Sequence, residues 1–378
     1  MITAYFTERS KNKNDRRIHR VAPTLRLGVF TKFLAASFFA AVLAHPASAQ
    51  TVSLPHDEAP HTDLVEWWYF VGHLQGVDPA GKKHTYGYQM TMFQVVQDPT
   101  QPALYVTNVA ITDDTRGVYD KDSQTTFAPV PSETNGFNLS SNAWNIQGSS
   151  GTYSINAALS DQNYAFTLTM QSAIPAALHG VNGQIPYGPW GTSAYYSYTA
   201  LATQGTIVDH GVPIAVTGIS WQDRQWGNYN LANQIGWTWF GIQLASDSFP
   251  GAPVKSSVQY MLYFIQDFTG AIVQVVATQV KNGVTTAIPA NQVSQKALTT
   301  YTSPATGFVY GTSWLVTVPG GKFIVKSRVQ AQEFVGAPGY QSYYEGDAVV
   351  FGVLNGDPVA GVAFAEVNPF NQQGQLLP

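Results

Sequence analysis

Residues 66–74 read Glu66-Trp67-Trp68-Tyr69-Phe70-Val71-Gly72-His73-Leu74, and residues 236–244 read Gly236-Trp237-Thr238-Trp239-Phe240-Gly241-Ile242-Gln243-Leu244. Both stretches are aromatic and β-branched, carry no helical period, and end at turn-forming residues, so both are predicted strands. Moving outward, Gln89-Met90-Thr91-Met92-Phe93 lines up with Tyr260-Met261-Leu262-Tyr263-Phe264. The two matches share an offset of about 170 residues and keep their order, which is what an internal duplication leaves behind. That puts one half at about 50–230 and the other at about 231–378.

Further β-rich runs fall at 85–96, 104–112, 164–170, 194–202, 212–223, 258–267, 272–280, 323–329 and 348–354. Turn-forming clusters separate them, such as Pro131-Ser132-Glu133-Thr134-Asn135-Gly136 and Asn355-Gly356-Asp357-Pro358. Short strands without a strand–helix–strand rhythm predict an all-β chain built of barrels or sandwiches. Only 11% of the 378 residues are charged and 13% are aromatic. That composition suits sheets around apolar space and argues against disorder. A net charge of −4 leaves no basic footprint, so nucleic acid is not an expected partner. The chain has no Cys, which excludes disulfides, thiol nucleophiles and Cys-bound metals.

The N-terminus reads as a targeting segment. Lys11, Lys13, Arg16, Arg17, Arg20 and Arg26 precede an apolar run at 33–43, and Ala47-Ser48-Ala49 offers a small-x-small cleavage site before Gln50. The run is shorter than the roughly 20 residues a spanning helix needs. Residues 1–49 are therefore expected to be a signal peptide. The mature chain is expected in the periplasm or outside the cell, without stable membrane insertion.

Several segments in order carry a resemblance: His61-Thr62-Asp63, Glu66 to Gly72, Gly87 to Phe93, Leu178-His179-Gly180, Ser193 to Ser197, Asp223-Arg224-Gln225-Trp226-Gly227, Gly236 to Phe240 and Tyr343-Tyr344-Glu345-Gly346. In these the chain resembles the carotenoid 1,2-hydratase (hydroxyneurosporene synthase)-like family, whose bacterial members are often exported. The resemblance implies two tandem lipocalin-like (calycin-type) β-barrels and a hydratase, isomerase or cyclase acting on a polyene or terpenoid-like molecule. The chain departs from the family pattern at Asp57-Glu58, at Gln225 and at Glu366-Val367-Asn368-Pro369-Phe370.

Adding water across a carbon–carbon double bond needs an acid able to protonate carbon, a shield for the cation and a base for water. A buried carboxyl holds its proton to higher pH, and aromatic faces stabilise cations. Asp223 shares a strand face with Trp221, and Glu66 shares one with Trp68 and Phe70, because residues two apart point the same way. Asp223, Glu66, His61 and Tyr196 are the candidate catalytic groups, His61 as a proton shuttle. Trp67, Trp68, Trp221, Trp226, Trp237, Trp239, Tyr195 and Glu345 are the candidate ligand wall, with Trp226 placed in the turn after Asp223. The blander alternatives are that Asp223 pairs with Arg224 at a strand end, and that Glu66 pairs with Arg224 to brace the halves.

His56 and His61 flank Asp57, Glu58 and Asp63, but the spacing matches no zinc pattern; the segment reads as a solvated polar loop. His73 and His84 read as surface residues, and His179 as either a turn-former or a ligand contact. There is no Gly-x-Ser-x-Gly elbow, phosphate loop or dinucleotide fingerprint, so no metal and no cofactor is expected. The expected partner is a hydrophobic small molecule. Two readings follow, an enzyme on an apolar substrate and a non-catalytic periplasmic carrier. The site is expected where the halves meet, since pockets favour domain boundaries.

Overall fold

A computed structural model describes residues 51–228, 235–245, 258–336 and 340–370. The leader and the boundary near 230 lie outside the described residues. The first sheet takes β1 (Val65–Val77), β2 (Lys83–Val95), β3 (Ala103–Asp113), β4 (Val118–Ala128), β5 (Phe137–Ser141), β6 (Trp144–Ser149), β7 (Thr152–Ala158), β8 (Tyr164–Ser172), β9 (Ala177–Leu178), β10 (Gln184–Pro186), β11 (Thr192–Asp209) and β12 (Val212–Gly227). The second takes β13 (Gly236–Ala245), β14 (Val258–Gln266), β15 (Ile272–Lys281), β16 (Val284–Ala287), β17 (Ser294–Thr302), β18 (Val309–Val318), β19 (Gly321–Ser327), β20 (Glu333–Phe334), β21 (Tyr343–Leu354) and β22 (Asp357–Asn368). Among the described residues no helix is long and apolar enough to cross a membrane.

The two sheets repeat one topology. The first runs β4-β3-β2-β1-β12-β11-β8-β7-β6-β5 and the second β16-β15-β14-β13-β22-β21-β19-β18-β17. In each, the first strand pairs with the second on one side and with the sheet's own last strand on the other. Each sheet curls around its own core. Trp68, Phe70, Met92, Ile155 and Leu168 fill the first, and Phe240, Leu262, Trp314, Phe323 and Val350 fill the second. The all-β, two-barrel expectation holds.

One detail of the repeat shifts. Trp67 pairs with Phe93, whereas its counterpart Trp237 pairs with Ile265. Residues 89–93 therefore correspond to 261–265, one position beyond the sequence alignment. Because side chains alternate, a slip of one moves every residue to the other face. Aromatic strands hide such a slip, since either face looks plausible.

A third core lies between the sheets and is built from Val65, Trp67, Tyr69, Val71, Trp221 and Trp239 with their neighbours. Strands β1 and β12 are thus buried on both faces, which is why they read as unbroken apolar runs. Both sheets belong to one compact unit. His73, expected at the surface, is buried, with Nδ1 2.8 Å from Asp347 Oδ1 of the second sheet. His84 is buried as well, 3.0 Å from Asp78. Asp347 is too distant in sequence from His73 for local pattern to reveal, and His84 also lies 3.7 Å from the remote Asp209.

Candidate active site

Alternation along β1 and β12 divides the sequence candidates into two groups. Odd-numbered Trp67, Tyr69, Trp221, Asp223 and Gln225 face the second sheet, whereas Glu66, Trp68, Arg224 and Trp226 face into the first barrel.

The odd face opens onto a cleft between the sheets. Its rings include Trp67, Tyr69, Tyr195, Trp237, Trp239, Tyr263 and Tyr343, and its polar lining includes Gln89, Asp223, Gln225, Glu366 and Asn368. The cleft holds about 550 Å³ of empty space, open mouth included. It is a slot among rings that meet edge to face.

Asp223 is 5% exposed. It accepts hydrogen bonds from Tyr195 Oη at 2.7 Å, from Trp221 Nε1 at 2.6 Å and from Ser197 Oγ. Three donors would ordinarily hold a carboxyl below its usual range. Burial opposes them and wins, pushing Asp223 up to about 7. Across the slot, Glu366 accepts from Trp237 Nε1 at 2.5 Å. Burial pushes it too up to about 7, with the nearby Asp223 adding to the shift; it keeps partial solvent contact through the cleft. Glu345 sits behind Tyr69, whose hydroxyl donates to Oε1 at 2.7 Å. Burial first, then the neighbouring Glu366, raise Glu345 well above the usual carboxylate range. Among the described residues none of the three carboxyls has a cationic partner.

The two walls are equivalent positions of the duplication. Asp223 pairs with Tyr69, and Glu366 pairs with its counterpart Trp239. On the next strand Ser197 stands opposite Asp223 and Glu345 opposite Glu366. Tyr195 and Tyr343, two residues earlier on those strands, both line the cleft.

The even face is a different construction. Arg224 Nη1 lies 2.6 Å from Glu66 Oε1 with both side chains fully buried, and its guanidinium sits 4.0 Å above the Trp68 ring. His61 Nδ1 is 2.7 Å from Glu66 Oε1, and the imidazole stacks on Trp226 at 4.3 Å. Tyr196 packs edge-on against Trp226. Each charge here has an opposite, which marks a braced interior.

Glu66, His61, Tyr196, Trp68 and Trp226 therefore stand on the far side of the sheet from the cleft. Trp67, Tyr195, Asp223, Trp237 and Trp239 line it, and Trp221 and Glu345 each bond to a residue that does. Trp226 lies within β12 rather than in a turn, because the strand runs on to Gly227. Arg224 pairs with Glu66, not with its neighbour Asp223, since adjacent residues face opposite ways. Both partners belong to the first sheet, so the pair does not brace the halves. The 56–63 segment is not a solvated loop. Asp57 and Glu58 are buried, and Glu58 accepts from the Ser150 backbone at 2.6 Å and from Tyr153 and Tyr198 at 3.2 Å.

Sequence reading missed Glu366, Tyr69, Tyr263 and Tyr343. A signal existed: Tyr195-Tyr196-Ser197 matches Tyr343-Tyr344-Glu345, and Asp223-Arg224-Gln225 matches Glu366-Val367-Asn368.

A profile described as AttH-like matches residues 45–368. Kievitone hydratase of Fusarium solani subsp. phaseoli is 25% identical over 218 residues, 56% of this chain and 59% of that protein. The match thus spans less than two thirds of that relative. Among solved structures, an AttH from Nitrosomonas europaea superposes with a TM-score of 0.72 at 24% identity, covering 87% of this chain and 100% of the other. Kievitone hydratase from Nectria haematococca gives 0.64 at 20% identity, covering 85% and 94%. At these identities the two structures establish a shared fold.

Proposed function

The chain belongs to the AttH-like family, and from that premise we propose that it is a hydratase, adding water across a carbon–carbon double bond of an apolar small molecule held in the inter-sheet cleft. The observation that carries the reading is the pair of carboxyls, Asp223 and Glu366, entering one aromatic slot from opposite sheets with no cationic partner for either among the described residues. The kinship with kievitone hydratase supports the reaction class.

Asp223 is the acid. It delivers its proton to one alkene carbon, the π pair forms the new C–H bond, and the neighbouring carbon becomes cationic. The three donors around Asp223 point at the negative charge as it develops, which is where preorganised dipoles lower a barrier. The faces of Trp237, Trp239 and Tyr263 shield the cation. Glu366, ionised, takes a proton from water as its oxygen closes the C–O bond. The turnover leaves Asp223 ionised and Glu366 protonated, and exchange with solvent at the open mouth restores both.

The narrower substrate class we propose is a polyene or terpenoid-like molecule, thin enough for the slot. Export of the mature chain after Ala49 belongs to the same proposal; N-terminal sequencing of the secreted protein checks it. The deciding experiment incubates the protein with kievitone and with acyclic terpenoid and polyene alkenes in oxygen-18 water. A product heavier by one labelled water, absent with Asp223→Asn, supports the reading. Recovery of every alkene unchanged alongside a co-purified apolar ligand would favour the carrier instead.

A further inference from the structure

His179 stands directly behind Asp223 and outside the cleft lining. Gly180 follows at φ +65, where a Cβ would lie 2.1 Å from the Gln184 carbonyl oxygen; this turn sets His179 against β11. The ring is 0% exposed. Its Nε2 is 2.6 Å from Ser197 Oγ, and its Nδ1 is 2.9 Å from Thr278 Oγ1 on β15 of the second sheet.

A serine hydroxyl has one proton. Ser197 donates its proton to Asp223 Oδ1, so it meets His179 only as an acceptor. Nε2 must then carry the ring hydrogen, Nδ1 presents a lone pair, and Thr278 donates to it. The opposite tautomer would turn a bare Nε2 toward Ser197 and draw the hydroxyl proton away from Asp223. Burial holds the imidazole neutral by pushing it down to about 3, so the ring acts through its tautomer and not through charge. The ionisable groups facing Asp223 are Tyr195 on β11, Tyr69 on β1, Tyr263 on β14, Glu345 on β21 and Glu366 on β22.

We propose that His179 is a positioning residue for the acid: as the Nε2–H tautomer, backed by Thr278, it points the Ser197 hydroxyl at Asp223 and keeps that carboxyl's third donor in place. The inference rests on the reading of Asp223 as the acid, and it makes the second sheet a partner in setting the first sheet's carboxyl.

The test needs no substrate. Nitrogen-15 NMR of histidine-labelled protein, with the His179 signals assigned by their loss in His179→Gln, is expected to show a protonated Nε2 and a bare Nδ1, without titration between about pH 5 and 8. The Asp223 midpoint is then followed from its carboxyl infrared band, assigned with Asp223→Asn. Ser197→Ala is expected to raise that midpoint by about one unit, since a donor to the charged form is lost. His179→Leu should raise it by a smaller step that vanishes in the Ser197→Ala background, and His179→Gln, whose amide can donate to Ser197, should restore it. A ring protonated at Nδ1, or a His179→Leu shift that persists without Ser197, overturns the proposal. If the alkene assay fails while these shifts appear, the hydratase reading falls and the positioning of Asp223 stands.

Discussion

The two walls of the cleft descend from one ancestral strand pair and now differ in how each treats its carboxyl. On the first sheet Asp223 is surrounded by donors: a tyrosine, an indole and a serine, the last aligned by His179. On the second sheet the serine's place is taken by Glu345, and Glu366 keeps a single indole donor beside a second acid. Burial lifts both Asp223 and Glu366 to about the same value, yet for different purposes. Donors stabilise the anion that remains once a proton is given away. A like charge, here that of Asp223, makes Glu366 hold its proton harder. Duplication supplied two equivalent positions, and on the proposed reading the wall with Ser197 gives protons while the wall with Glu345 accepts them.

The sharpest way to break this comparison is Asp223→Asn. Turnover of the alkene substrate is expected to fall by about 10³-fold, the range of a lost general acid, with substrate binding nearly unchanged. The same variant carries a stability prediction of opposite sign. Asp223 binds its proton more tightly folded, at about 7, than unfolded, near 3.8. Its contribution is therefore complete below about pH 3.8 and is lost as pH rises toward 7. Urea unfolding of Asp223→Asn against the native chain should show the variant gaining relative stability over that window. The ceiling is roughly 4 kcal/mol for a shift of about three units, and solvent relaxation reduces it. A difference that does not change with pH would refute the burial argument.

Glu366→Gln tests the other wall. A loss of about 10–10² is expected, together with a change in the pH profile. In the native protein kcat/KM should be bell-shaped and centred near pH 7, with the two limbs belonging to the coupled carboxyls. Removing Glu366 should abolish the acidic limb, along which activity falls as the base becomes protonated, and leave the alkaline one. Loss of the alkaline limb instead would exchange the two roles. The smallest effect is reserved for Glu345→Gln. Glu345 holds its proton well above the usual carboxylate range, so a neutral amide in its place should leave both limbs where they are, with kcat within a few fold; an acidic limb that moves down would show Glu345 to be charged beside Glu366.

The strands and the duplication were legible because both depend on local pattern. Glu66 to Leu74 announces a strand wherever it is placed. The faces were less legible. Asp223 and Arg224 are adjacent in sequence, yet one serves the cleft and the other braces a barrel, and only the pairing of β1 with β12 separates them. Burial of His73 and Glu58 was hidden for the same reason. Asp347 sits against His73 and the Ser150 backbone donates to Glu58, and no window of neighbouring residues contains those partners. Glu366 was within reach, since the Tyr-Tyr-Ser and Tyr-Tyr-Glu segments repeat. The one-residue slip between β2 and β14 obscured the frame in which to compare them.

Asp223 lies on β12 and Glu366 on β22, the strands with which each sheet finishes. Each of these strands returns to pair with the strand that began its sheet, a long-range closure that is slow for a chain to make. The two carboxyls therefore face each other only after both seams have zipped shut. If the cleft is catalytic as proposed, newly made chains should gain activity last, after either barrel is recognisable by spectroscopy, so that activity would report complete folding.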